Sequence, residues 1–211
     1  MDWTIEFDKA IEQYLPDLEV LQDEPMSRHT TFRIGGPAKR MAFPSSREQL
    51  VLLMSFAKDY GANLLVIGNG SNLLVPDEGL DRLVIDTSAN LNRVERGSGN
   101  TVLADAGATL ARTADLACKS GLTGLEFAHG IPGTVGGGVC MNAGAYGGEM
   151  RQVVTEVTAL YPDGIRRFTG DQAEFAYRHS RFLEDGAVVL GAVVRLTPDD
   201  PAAIRRGSRH N

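Results

Sequence analysis

The chain is predicted to be an α+β protein built as two α/β units. Three observations predict it. Residues 38–85 read as strand, helix, strand, glycine turn and strand, the pattern of a βαβ unit. A fresh strand and helix follow from about residue 92. Residues 126–148, EFAHGIPGTVGGGVCMNAGAYGG, then carry eight of the chain's 24 glycines.

In order, residues 3–15 place Trp3, Phe7, Ile11, Tyr14 and Leu15 at helical spacing, and Pro16 ends that helix. SRHTTFRIGGPAKRMAF reads as an extended lead-in, a turn at Gly35-Gly36-Pro37 and a strand over 38–43. Ser45 with Glu48 forms the pattern of a capping box. The helix behind it runs to Tyr60 with Leu50, Leu53, Met54 and Ala57 inward, and Gly61 stops it. Residues 63–67 make a short buried strand that runs into GNGSN, and 82–85 make the next strand.

In the second unit, 101–106 is a strand and Thr109 caps a helix bearing Leu110, Thr113, Ala114 and Ala117, with Gly121 as its stop. The glycine-rich stretch is a poor helix and a poor strand by propensity. Ile131, Val135, Val139, Met141, Ala143 and Ala145 interleave with the glycines, so it reads as an ordered, buried, ligand-lining loop and not a polar linker. Residues 153–161, a Pro162-Asp163-Gly164 turn and 165–168 form a hairpin, and 187–196 is the last strong strand. Beyond Pro198 the sequence is polar and irregular.

Composition is that of a water-soluble globular chain, 43% hydrophobic and 23% charged. A net charge of -6 argues against a nucleic-acid or anionic-membrane surface. It leaves a nucleotide ligand open, because backbone N–H groups hold phosphate without net positive charge. The opening MDWTIEFDKA has acid where a secretory leader needs a basic region, and no apolar run has membrane-span length. Cys118 and Cys140 form no C-x-x-C pair, and the four histidines share no metal spacing, so no metal is expected and the thiols read as free and buried. A cytoplasmic location follows as the expectation.

Gly68, Asn69, Gly70, Ser71 and Asn72 follow a strand and present short polar groups suited to an anion. Leu73 stands where a Rossmann fingerprint needs its third glycine, and no Gly-Lys-Ser/Thr of a P-loop occurs. Alone this loop reads as a plain turn. With a second glycine-rich loop in the other unit it becomes a two-sided clamp for an extended dinucleotide. Arg178 offers a permanent charge and a rigid fork that suits a carboxylate.

TTFRIGG at 30–36, VIGNGSNLLV at 66–75, LEFAHGIPGTVGGGVCMNAGAYGGEM at 125–150 and FAYRHS at 175–180 occur in that order. Together they resemble the UDP-N-acetylenolpyruvoylglucosamine reductase (UDP-N-acetylmuramate dehydrogenase) family over residues 20–196. The resemblance implies a PCMH-type FAD-binding fold of two subdomains gripping FAD, followed by a substrate lobe. It implies residues 1–20 as an N-terminal helix, 21–90 and 91–197 as the subdomains, and 198–211 as a remnant of the third lobe. It implies that NADPH reduces FAD, which then reduces UDP-N-acetylglucosamine enolpyruvate to UDP-N-acetylmuramate for peptidoglycan synthesis.

By the matching motifs, Gly68, Asn69, Gly70, Ser71, Asn72, Leu73, Ile131, Pro132, Gly133, Thr134, Val135, Gly136, Gly137, Cys140 and Gly144 should line FAD. Tyr146 should face the substrate and Arg178 should be catalytic. Partners implied are the UDP-sugar and NADPH. The family's protonating serine and late glutamate find no match: after Arg178 there are Ser180, Ser208 and Glu184, with Gly207-Ser208 followed by Arg209-His210. His179 stands where the family commonly has an acid or amide. The expectation is a chain lacking most of the substrate lobe, with turnover in doubt. The alternatives are a PCMH-type FAD oxidase and a non-catalytic flavin-binding remnant.

Overall fold

The computed structural model describes residues 2–200 and Ile204. The expectation built on Gly207-Ser208 lies outside the described residues. The chain divides into two compact units, Met1–Leu91 and Asn92–Asn211.

In the first unit, helix α1 (Trp3–Tyr14) begins where the Asp2 carboxylate accepts from the Thr4 N–H at 3.1 Å. Its buried face is Thr4, Phe7, Ala10 and Ile11, spaced as an amphipathic helix requires. Strand β1 (Val20–Pro25) leads through one 3₁₀ turn at Met26–Arg28 to β2 (Pro37–Ala42). Helix α2 (Arg47–Tyr60), β3 (Leu64–Ile67) and β4 (Leu80–Asp86) complete the unit. Sheet order is β1-β2-β4-β3, with β2, β4 and β3 parallel and β1 antiparallel on the edge. The crossover from β2 through α2 to β3 leaves β4 between its strands.

Arg40 on β2 holds Asp8 of α1 with two bonds, at 2.8 and 2.6 Å, so the buried guanidinium is paired in a fork. Met26, Ala38, Met41, Ile67, Val75 and Val84 form a core of this unit.

Two expectations shift here. The α2 cap is Ser46, which accepts from the Gln49 N–H at 3.2 Å, and not Ser45 with Glu48. Gln49 instead takes the Ser45 N–H at 2.7 Å, so both serines are engaged one residue out of the expected register. The buried face of α2 is Leu50, Leu53, Phe56 and Ala57, with Met54 half-buried. Phe56 takes the buried place expected of Met54, and its ring lies tilted against Tyr14 of α1 with centroids 5.9 Å apart.

In the second unit come β5 (Val94–Arg96), β6 (Thr101–Asp105), α3 (Leu110–Lys119) and the two-residue β7 (Leu122–Thr123). The short helix α4 (Val135–Cys140) precedes the small hairpin β8 (Gly144–Ala145) and β9 (Gly148–Glu149). Strands β10 (Val154–Tyr161) and β11 (Gly164–Thr169), helix α5 (Arg181–Glu184), β12 (Val188–Arg195) and β13 (Thr197–Pro198) follow.

The five-stranded antiparallel sheet runs β11-β10-β12-β6-β5. Central β12 is buried over most of its length, as its near-continuous apolar run demands. Thr109 caps α3 by accepting from the Arg112 N–H at 3.1 Å. The core joins β6, β10 and β12 to Leu110, Leu125, Phe127, Val135 and Val139.

The glycine-rich stretch departs from its expected loop character, because it contains α4. The first turn of this glycine-rich helix is held by tertiary bonds. The Val135 N–H donates to Ala108 O and the Gly136 N–H to Ala106 O, both at 2.8 Å.

Candidate functional site

In the first unit, β3 ends at Ile67, whose carbonyl accepts from both the N–H and the hydroxyl of Thr87 at 3.0 Å. Gly68 to Leu73 therefore leave the sheet at the C-terminal end of a parallel strand, where open α/β sheets place ligands. Gly70 is buried at φ +57°, and a Cβ there would lie 2.0 Å from the carbonyl oxygen of His29. Only glycine fits both that angle and that approach. Thr31 N–H donates to Gly70 O at 3.3 Å, so the loop rests on residues 29–31. Gly68, Asn69 and Ser71 are half-buried and Asn72 is exposed. Leu73 packs on the core of the unit, a structural task for the residue in the third-glycine place.

The second unit holds the remaining candidates. Ile131 packs against the core and Pro132 is exposed. Gly133 O accepts from the Leu110 N–H at 3.0 Å, and the buried Thr134 bridges to Thr109. Gly136 is buried, and a Cβ there would lie 2.8 Å from Ala106 Cβ. Gly137 differs: it is exposed, and a Cβ would meet only Thr134 Oγ1 at 3.7 Å. A glycine in a helix costs up to about 1 kcal/mol against alanine. Nothing within the unit requires glycine at Gly137, so the open backbone there fits the close approach of a flat ligand.

Cys140 is half-buried, and burial pushes its thiol up from 9.0 to about 11, so it is an unreactive neutral thiol near pH 7. Gly144 starts the β8–β9 hairpin, and Tyr146 sits at its tip, 69% exposed. Tyr146 and Gly147 have φ +52° and +83°, the two left-handed central residues of a type I′ turn.

Arg178 lies in a second tight turn. Ala176 and His179 exchange backbone bonds at 3.1 and 3.2 Å, and Arg178 between them has φ +51°. Arg178 is exposed and Tyr177 beside it is 91% exposed.

The second unit brings Cys140, Gly144, Tyr146 and Arg178 onto one connected scaffold. Ser180, fully buried, donates its hydroxyl to Cys140 O at 2.9 Å. Asn142 donates through Nδ2 to Ala176 O at 3.1 Å and to Glu149 Oε2 at 2.9 Å. Its Oδ1 accepts from the Arg151 N–H at 2.9 Å. Sequence reasoning passed over Asn142 and Glu149, and weighed Ser180 only as a proton donor, not as a fastener. The signal was a lone amide in a run of Gly, Ala and Met, with an acid seven residues on. Among the described residues, no group of three His, Cys, Asp or Glu side chains could hold a metal, and no helix is long and apolar enough to cross a membrane.

The fold and its glycine-rich segments define a flavin-binding class of protein: the family model described as "FAD binding domain" matches residues 38–169. The curated UDP-N-acetylenolpyruvoylglucosamine reductase of Agathobacter rectalis is 46% identical over 204 residues, covering 91% of this chain and 65% of that protein. The crystal structure of UDP-N-acetylenolpyruvylglucosamine reductase from Thermus caldophilus matches with TM-score 0.76 at 31% identity, covering 92% of this chain and 67% of that one. A cholesterol oxidase variant from Brevibacterium sterolicum matches with TM-score 0.66 at 17% identity, over 88% of this chain and 39% of that one, and shares the fold alone. The chain belongs to the UDP-N-acetylenolpyruvoylglucosamine reductase family and has its PCMH-type FAD-binding fold. It spans 65% of the length of the Agathobacter relative.

Proposed function

We propose that this chain holds FAD and serves the NADPH-driven reduction of UDP-N-acetylglucosamine enolpyruvate to UDP-N-acetylmuramate, a cytoplasmic step of peptidoglycan precursor synthesis. The observation that carries this reading is the 2.9 Å bond from Ser180 to Cys140 O, which ties the segment bearing Arg178 to the glycine-rich segment.

FAD, when bound, would supply the redox chemistry, with NADPH as the source of the hydride that the enolpyruvyl double bond receives at C3. By the matching motifs Gly68 to Leu73 would line FAD, as would Ile131 to Gly137 with Cys140 and Gly144; the Val135 and Gly136 N–H groups are already engaged by Ala108 O and Ala106 O. Hydride addition at C3 leaves negative charge on C2 and in the adjoining carboxylate. Arg178, exposed on a short fixed turn, would pair with that carboxylate and stabilise the charge as it develops. Tyr146, on its own turn of the same scaffold, would face the substrate. Ser180 is not the proton donor to C2: its hydroxyl is wholly buried and donates to Cys140 O.

The test is the visible absorption spectrum of the purified chain with FAD added. Protein-perturbed flavin bands support the reading. A chain that is folded by circular dichroism and leaves the flavin spectrum unchanged overturns it.

A further inference from the structure

We infer that Asn142 is the positioning residue that fixes the Arg178 turn and the Tyr146 hairpin against each other. This rests on the function proposed above for Arg178 and Tyr146. Asn142 is only 5% exposed and sits at φ +42°, an angle that asparagine tolerates better than most side chains. An amide offers two N–H donors and one carbonyl acceptor, and here all are engaged. The donors meet Ala176 O and Glu149 Oε2, and the acceptor meets the Arg151 N–H.

Each partner belongs to a different piece of the scaffold. Ala176 opens the Arg178 turn, and its carbonyl also accepts from the His179 N–H at 3.2 Å. Glu149 closes the hairpin carrying Tyr146, and its other carboxylate oxygen pairs with Arg151 at 2.6 Å. The turn is thereby fastened on both sides of Tyr177 and Arg178: by Asn142 at Ala176, and by Ser180 at Cys140. An aspartate in the same place cannot donate, and it would set a carboxylate against both Glu149 and the Ala176 carbonyl. Asn142 touches neither flavin nor substrate in this scheme and acts through the two turns.

The experiment compares Asn142→Asp, which keeps the shape, and Asn142→Gly, which keeps the backbone angle, with the unchanged chain. Amide exchange of Ala176 and His179, followed by mass spectrometry, is expected to accelerate about tenfold in both variants, the effect of losing one net hydrogen bond. Amides of β10 and β12 should not change. FAD affinity should move by less than about threefold, an effect under one net hydrogen bond.

Binding of UDP-N-acetylglucosamine enolpyruvate, read from the flavin spectrum, should weaken about tenfold in Asn142→Asp. Arg178→Ala combined with Asn142→Asp should then bind no worse than Arg178→Ala alone, because coupled residues are not additive. Unchanged exchange at Ala176 and His179 in both variants overturns the fastening. Additive losses overturn the link to Arg178. A chain that binds no flavin defeats the proposed function, and the exchange result still decides whether Asn142 holds the turn.

Discussion

Ser180 and Cys140, forty residues apart, are joined by a hydroxyl-to-carbonyl bond of 2.9 Å. The bond is the second anchor of the Arg178 turn, and Ser180 is fully buried. Removing a buried donor leaves its acceptor unsatisfied, at about 1–3 kcal/mol. Ser180→Ala is therefore expected to lower stability by that amount in urea unfolding while leaving the far-UV circular dichroism unchanged. A variant as stable as the parent would show that water satisfies the Cys140 carbonyl and that the anchor is weak.

Adjacent glycines in α4 are expected to respond in opposite directions. A methyl at Gly136 would sit 2.8 Å from Ala106 Cβ, so Gly136→Ala overpacks the contact and should cost about 1–3 kcal/mol. A methyl at Gly137 meets nothing closer than 3.7 Å, so Gly137→Ala should stabilise the ligand-free chain by up to about 1 kcal/mol. The same substitution should weaken FAD binding if the open face of Gly137 is where the ligand lies. Thermal melts and FAD titrations of both variants decide it. A Gly137→Ala chain with full FAD affinity removes Gly137 from the site.

Elements whose cause is local were legible. Thr109 caps α3, Gly61 stops α2 at φ +73°, and the turn at Pro162-Asp163-Gly164 joins β10 to β11. Elements whose cause is tertiary were not. β1 and β5 are short, largely polar edge strands with no clean alternation to read. Helix α4 opposes glycine's propensity and exists because Ala106 and Ala108 supply acceptors from another segment. The glycine-rich segments stood out by composition. The fasteners at Asn142, Glu149 and Ser180 did not, since each is a single polar residue whose partner is distant in sequence or buried.

The sole tryptophan reports on the acid response of the first unit. Trp3 Nε1 donates to Asp81 Oδ1 at 3.0 Å, and Lys39 Nζ lies 3.2 Å from Asp2 and 3.4 Å from Asp81. The Thr4 N–H, then the Thr4 hydroxyl, then Lys39 hold the Asp2 carboxyl at about 2 against its ordinary 3.8. Trp3 and then Lys39 hold Asp81 below its ordinary value as well. A carboxylate depressed in the folded state stabilises it above the unfolded pKa and ceases to do so as pH falls through the folded one. Trp3 fluorescence should therefore be flat at neutral pH and change only below the ordinary carboxylate range, as its partner Asp81 takes up a proton. Asp81→Asn should remove much of that change, and high salt should shrink it. A transition centred near pH 6 would assign the response to histidine and not to this cluster.

Cys140 gives a readout at the other end of the pH scale. Burial raises its thiol from 9.0 to about 11, so folding favours the neutral form. The sign runs opposite to that of Asp2. The contribution is complete below the unfolded pKa of 9.0 and is lost as pH rises from there through about 11. At pH 8 the thiolate fraction should be about a hundredfold lower in the folded chain than in urea, two pKa units being two factors of ten. Iodoacetamide labelling of the Cys140 peptide, timed by mass spectrometry at pH 8 with and without urea, measures this. Slow native labelling that quickens in urea shows that the fold shields the thiol where Cys140 packs on the core. Labelling at the unfolded rate in the native chain would mean that the segment opens freely, and with it the bond that ties the Arg178 turn to the glycine-rich stretch.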